Sequence, residues 1–143
     1  MSEQNKLLVR RAIEEIYNQG NLDVIDELIA PGFVGRSPSE EVVGPAGVRQ
    51  SVIEFRTAFP DLHMTIDDQV AEQDRVVTRW TATGTHTGAF KGIPPTGRHG
   101  KITGIDIDRI VDGKAVECWT NSDDLGMLQQ LGVVPTPEPA PAG

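Results

Sequence analysis

The stretch Gly104–Gly126, GIDIDRIVDGKAVECWTNSDDLG, constrains the fold of this chain more than any other. Apolar and polar residues alternate on both sides of Asp112-Gly113, so it reads as two strands joined by a tight turn that needs positive φ. A short amphipathic helix is expected to follow from about Asp123. Ile105 and Ile107 share one strand face, and Asp106 and Asp108 share the other. Whichever face turns inward decides whether those aspartates are surface charge or site chemistry. Alternation alone leaves that open.

The segments before the hairpin are mostly helical. Val9, Ala12, Ile13, Ile16 and Tyr17 recur at three- and four-residue spacing, which predicts an amphipathic helix from Ser2 to Gln19, with Gly20 as its stop. Asn21 is placed to cap a short second helix through Ile29, ended by Pro31-Gly32, and Phe33-Val34 reads as a brief strand. Gly44-Pro45 opens a third helix striped by Val48, Val52, Phe55 and Phe59 and stopped by Pro60. From Asp61 the period changes from helical to two. Leu62, Met64 and Ile66 alternate with His63, Thr65 and Asp67, and after a turn at Glu72-Gln73-Asp74 the stretch Arg75–Gly88 reads as a long strand. Gly88–Gly100 is dense in glycine and proline and predicts a structured loop. Helices followed by an antiparallel meander make a single α+β domain over residues 1–132, and the Pro/Ala-rich tail 133–143 is expected to be disordered.

A net charge of -8 with no basic stripe argues against nucleic acid and against an anionic membrane surface as partners. Cys118 is the sole cysteine, so no intrachain disulfide can form, and a reducing, cytoplasmic setting is expected. The three histidines lack metal-ligand spacing, so no metal or cofactor is expected; His63, His86 and His99 read as strand-end, solvent or loop residues.

Thr85–Gly97 (THTGAFKGIPPTG), GIDIDRIVDGK, the ending DLGMLQQLG and the N-terminal LVRRAIEEIYNQGNLDVIDELIAPGFV together resemble a SnoaL-like polyketide cyclase of the nuclear-transport-factor-2-like superfamily. The resemblance spans Asn5 to Gly132. It implies a cone-shaped fold, a bent antiparallel sheet around a pocket closed by helices, and a homodimer through the outer sheet face. It also implies cofactor-independent acid/base chemistry on a small apolar carbonyl compound. The scaffold carries cyclases, isomerases, epoxide hydrolases and binding proteins, so fold analogy does not choose among them.

In the characterised cyclases a histidine at the position of Asp106 and an acid/base aspartate at that of Thr120 face the cavity. This chain departs at both, and it has Gly35 in place of a pocket asparagine. For both positions to face inward, a three-residue loop, Val111 to Gly113 with a bulge at the glycine, is expected. It pairs Asp106 with Cys118 and Gly104 with Thr120, and places Gly104, Asp106, Asp108, Val116, Cys118, Thr120 and Ser122 inside. Ala115 then falls outside, with Ile105, Ile107, Arg109, Glu117, Trp119 and Asn121.

Asp106 is the leading acid/base candidate, since an apolar cup destabilises its anion; the competing reading is a surface aspartate. Asp123 is the second catalytic candidate, with helix capping as its competing role. Asp108 could share a water with Asp106 or lie solvated near the turn. Tyr17, Phe33, Trp80 and Phe90 are candidate walls for a flat ligand, with core packing as the alternative, and Phe90 suits a lid. Cys118 and Thr120 complete the candidate lining. Two functional classes follow: a cyclase- or isomerase-type enzyme, or a ligand-binding domain that has lost the acid/base pair.

Overall fold

The computed structural model describes residues 2–137. Helix α1 spans Ser2–Arg11 and runs on as a wide π-helical turn over Ala12–Asn18. There the Gln19 N–H donates to the Glu14 carbonyl at 3.0 Å, one residue further back than in an α-helix. Val9, Ile13 and Ile16 form the buried stripe that the spacing predicts. Asn21 caps a 3₁₀ turn at Leu22–Val24 by accepting from the Asp23 N–H, and α2 follows at Ile25–Leu28. Helix α3 is Gly44–Ala58.

Six strands make one curved, unclosed sheet: β1 (Ile29–Arg36), β2 (Glu41–Val43), β3 (His63–Glu72), β4 (Arg75–Thr85), β5 (His99–Val111) and β6 (Lys114–Ser122). Their order is β2-β1-β6-β5-β4-β3, and β1 lies parallel to β6 while every other pair is antiparallel. The expected four-strand antiparallel meander is present as β3–β6, and the parallel β1–β6 pair beside it makes the whole sheet mixed. Pro31-Gly32 does not end a helix but sits in a β1 irregularity between Ile29 and Val34, where proline's missing N–H does least harm. Helix α4 (Asp124–Gln130) closes one end of β5.

Two bulges decide which side chains face the helices. At the hairpin, Asp112 (φ 50) and Gly113 (φ 74) are both left-handed, and Val111 pairs directly with Lys114. This is a two-residue type I′ turn, not the three-residue loop. The extra residue lies one step further on, at Val116, between the Ile110–Ala115 and Arg109–Glu117 pairs. The expected inward set survives for Asp106, Asp108, Cys118 and Thr120, but the pairing changes: Asp106 lies opposite Thr120, Asp108 opposite Cys118 and Gly104 opposite Ser122. Ala115 moves from the outer face to the core. The second bulge is at Asp67, since Ile66 pairs with Trp80 and Asp68 with Arg79. Beyond it the alternation of β3 inverts, burying Gln69 and exposing Val70.

The core divides in two. The larger cluster joins the α1 stripe to Ile25, Leu28, Phe33, Val48, Val52, Val76, Ile110 and Ala115. The smaller one holds Ala58, Phe59, Phe90, Met127 and Leu131. Val133 and Val134 still donate to the Leu128 carbonyl. The remainder of the tail expected to be disordered, from residue 138 on, lies outside the described residues. No helix among the described residues is long and apolar enough to cross a membrane.

Candidate acid-pair site

The inner sheet face carries a polar row running across four strands. Gln69 pairs with Thr78, Thr78 with Asp106, and Asp106 with Thr120. Beside it runs a second row, Ala71, Val76, Asp108 and Cys118, with Gly35 of β1 at its end. On the other side Trp80 lies flat over Gly104, where a Cβ would sit 2.3 Å from the indole ring. Only glycine leaves room for the indole there, and Trp80 in turn brings its N–H toward Asp106.

Asp106, Asp108 and Cys118 each offer a ligand-type atom within 4.8 Å of the others, the one such grouping among the described residues. Burial pushes the Asp108 carboxyl up to about 7, helped by the negative charge of Asp106 and opposed by a hydrogen bond with Cys118. Burial likewise raises Asp106, while Trp80 and Thr120 favour its ionised form as facing donors. Neither closes a hydrogen bond to Asp106 Oδ1, which is buried without a partner; Trp80 Nε1 is equally unpartnered. The Cys118 thiol is held protonated by burial and by both carboxylates, so it is no nucleophile. Its sulfur lies 3.6 Å from Thr120 Oγ1.

Tyr17 hangs over this pair from the π-helical turn. Burial and the charges of Asp106, Cys118 and Asp108 raise its phenol, which therefore stays a proton donor. The turn is anchored from two sides. Asn18 accepts from the Met64 N–H at 2.7 Å and donates to the Met64 carbonyl at 3.0 Å, while Arg56 donates to the carbonyls of Tyr17 and Asn18 at 2.7 and 2.9 Å.

Not every expected residue joins this group. Asp108 is not a solvated turn residue: it lies between Val76 and Cys118 on the inner face, and burial raises its carboxyl. Asp123 is exposed and caps α4, accepting from the Gly126 N–H at 3.0 Å. Phe33 is buried in the larger core cluster. Phe90 is no exposed lid. It plugs the smaller cluster, with ring centroids 5.3 Å from Phe55 and 5.7 Å from Phe59. His86 is not a solvent residue either. It is fully buried against Phe59, its Nδ1 accepting from the Thr96 N–H at 3.2 Å, which places the proton on Nε2. Gln69 and Thr78 were missed altogether. Thr78 shares the parity of Trp80 and could have been found; Gln69 was hidden by the bulge at Asp67.

Residues 7–131 match the family of SnoaL-like polyketide cyclases. The aklanonic acid methyl ester cyclase DnrD of Streptomyces peucetius is 34% identical over 138 residues, covering 92% of this chain and 93% of that protein. The nogalonic acid methyl ester cyclase of Streptomyces nogalater is 30% identical over 119 residues, covering 81% and 89%. Among solved structures, TsrD of Streptomyces laurentii superposes with a TM-score of 0.83 at 32% identity, covering 92% of this chain and 97% of that one.

Proposed function

We propose a function from one established premise: the chain belongs to the SnoaL-like polyketide cyclase family and is a cyclase-like enzyme. It closes a ring in a polyketide-derived carbonyl compound by an intramolecular aldol reaction, with Asp106 and Asp108 as the acid/base pair. The observation that carries this is a pair of neighbouring carboxylates on the inner face, both raised by burial, with no cation paired to them among the described residues.

The departures from the characterised cyclases fit this reading. Thr120 stands where those enzymes carry their acid/base aspartate, but its direct cross-strand neighbour is Asp106. A carboxylate on β5 reaches the same part of the inner face as one on β6. Tyr17, Asp106, Asp108, Cys118 and Thr120 also keep part of their surface accessible, although burial shifts the ionisation of the first four. We read that combination as the lining of the substrate pocket, with Trp80 as its wall.

The chemistry balances without a redox partner. Asp106 takes a proton from carbon flanked by carbonyl groups, and the Tyr17 phenol donates a hydrogen bond to the enolate oxygen. The enolate carbon bonds to a second carbonyl carbon, whose π electrons move to its oxygen. Asp108, titrating at about 7, supplies the proton that makes the new hydroxyl, and the proton on Asp106 passes back to it. Asp123 keeps its capping role at the end of the sheet.

The outer sheet face supplies the homodimer contact. Val70, Val77, Ile107 and Trp119 form a continuous cross-strand row there, and Val70 is 57% and Ile105 48% exposed.

The test is turnover of aklanonic acid methyl ester and nogalonic acid methyl ester, the compounds for which the relatives are named. Asp106→Asn should lower kcat by about two to four orders of magnitude with the fold intact. Unchanged turnover in that variant would overturn the assignment.

A further inference from the structure

We infer that Trp80 is a positioning residue of the acid pair: its indole N–H closes a hydrogen bond on Asp106 when that carboxyl group ionises, and so gives the base role to Asp106 rather than to Asp108. The catalytic consequence rests on the reading of the two aspartates as the acid/base pair. The contact itself stands on the placement of two side chains.

Two buried atoms with opposite needs lie on the same sheet face without partners. Trp80 Nε1 can only donate and ionised Asp106 can only accept, yet Nε1 and Oδ1 are both buried and unpaired. Leaving either one unmatched is costly, and each is the complement of the other. The register brings them together. Trp80 pairs with Gly104 across β4 and β5, and Asp106 follows two residues along on the same face, a diagonal position that an aromatic side chain reaches. The ring lies over the place a Gly104 Cβ would take, with Cε2, the carbon bonded to Nε1, 2.7 Å from that point. The missing side chain at 104 therefore sets the nitrogen edge of the indole beside the next inward residue of β5.

An indole N–H distinguishes the two charge states of a carboxyl group, because its bond to the carboxylate is charge-assisted and its bond to the neutral acid is not. Thr120, opposite Asp106, does not discriminate in this way: a hydroxyl donates or accepts as required, and its Oγ1 also lies against Cys118 Sγ. Asp108 sits between Val76 and Cys118, and its hydrogen-bonding neighbour is a thiol, not an N–H. The other titratable groups facing Asp106 are Tyr17 from the π-helical turn and Cys118 from β6, both kept neutral by burial. Thr78 of β4 and Gln69 of β3 do not titrate, and no lysine or arginine is paired with Asp106 among the described residues. Asp108 is therefore the one competing charge among them, and a single N–H tips the pair. Asp106 ionises first, and its negative charge holds the proton on Asp108.

The experiment follows the protons by NMR in isotope-labelled protein, without substrate. The chain has two indole N–H signals, from Trp80 and Trp119, and Trp80→Phe identifies the first by its loss. As pH rises the Trp80 signal should move downfield in step with the ionisation of Asp106. Asp106→Asn should abolish that movement, and Asp108→Asn should leave it in place. Carboxyl-carbon signals should show Asp106 ionising at lower pH than Asp108. Replacing Trp80 with 3-benzothienylalanine keeps the bicyclic shape and puts sulfur where the N–H was. It should raise the Asp106 midpoint by about one pH unit. Circular dichroism melts confirm that each variant is folded. A Trp80 signal that stays fixed while Asp106 titrates, or that still moves in Asp106→Asn, overturns the inference. So does the reverse order of ionisation, or an Asp106 midpoint unchanged by the sulfur replacement. Because the readouts are proton positions in the resting protein, they stand apart from catalysis: an Asp106→Asn variant with unchanged turnover would sink the proposed chemistry and leave the contact between Trp80 and Asp106 to be judged by itself.

Discussion

The two faces of strands β5 and β6 hold the same kinds of residue and treat them in opposite ways. On the outer face Glu117 receives hydrogen bonds from Arg36 at 2.7 Å and Arg109 at 2.9 Å, and these hold its carboxyl below the usual range. Arg36 and Arg75 also flank the Trp119 ring, at 6.0 and 5.7 Å. On the inner face Asp106 and Asp108 have no arginine or lysine bonded to them among the described residues, and burial pushes both upward. A carboxylate with a solvated cation partner is a fixed charge. One enclosed beside another carboxylate becomes a proton carrier near neutral pH. The difference lies in neighbours, and neighbours are assigned by which face a residue occupies.

That contrast can be broken by putting a cation inside. Thr120→Lys places an ammonium opposite Asp106, which would lower its carboxyl and remove its basicity. Turnover should fall about a hundredfold or more, assayed on the ester substrates of the related cyclases. Recovery of full activity in this variant would mean that proton transfer does not run through Asp106.

The next largest effect concerns the wall above the pair. Gly104→Val drives a side chain into the Trp80 ring and should cost about 1–3 kcal/mol in denaturant unfolding. Gly113, where a Cβ would meet nothing within 4 Å but φ is positive, is the control for backbone strain without collision.

A third measurement sharpens the electrostatic half of the comparison. In the unfolded chain Asp108 titrates at about 4, and in the folded protein at about 7. Between those values the folded state holds more protons, so stability falls as pH rises through that window and levels off above it. Asp108→Asn removes this slope. Its melting temperature relative to wild type should therefore climb from pH 4 to pH 8, and a flat difference would show that Asp108 is not enclosed.

The outer face yields the remaining two. Ile107→Glu introduces charge into the exposed apolar row and should convert the proposed dimer to a monomer in sedimentation equilibrium, with little change in melting temperature. Glu117→Gln should have the smallest effect of all. Its carboxylate is solvent-screened, and its contribution, present at neutral pH, disappears as pH falls through its lowered pKa.

Much of this was legible beforehand, and the errors share a cause. The Ile105/Asp106 alternation, the Asp112-Gly113 turn and the helical stripe from Val9 to Ile16 follow from local period and turn chemistry. The pairing of Asp106 with Thr120 did not, because a single bulged residue at Val116 restores the same parity as a longer turn while shifting the register. Gln69 was lost to the matching device in β3. Phe90 sits in the Gly/Pro-dense loop and His86 at the end of the strand before it, where exposure was expected, yet both pack onto Phe59 and are buried.

The sequence by itself determined the α+β class and the sharing of one strand face by Asp106 and Asp108, since periodicity, capping and turn residues act over a few neighbours; the inward turn of that face came only with the resemblance to the family. Only the tertiary structure decided that β1 runs parallel beside β6, that Asp108 is enclosed with Asp106, and that Gln69 joins them. Each depends on which distant strand supplies the hydrogen-bonding partner and where one extra residue bends it. That choice is made by packing across the sheet, and nothing in the local pattern of a strand records it.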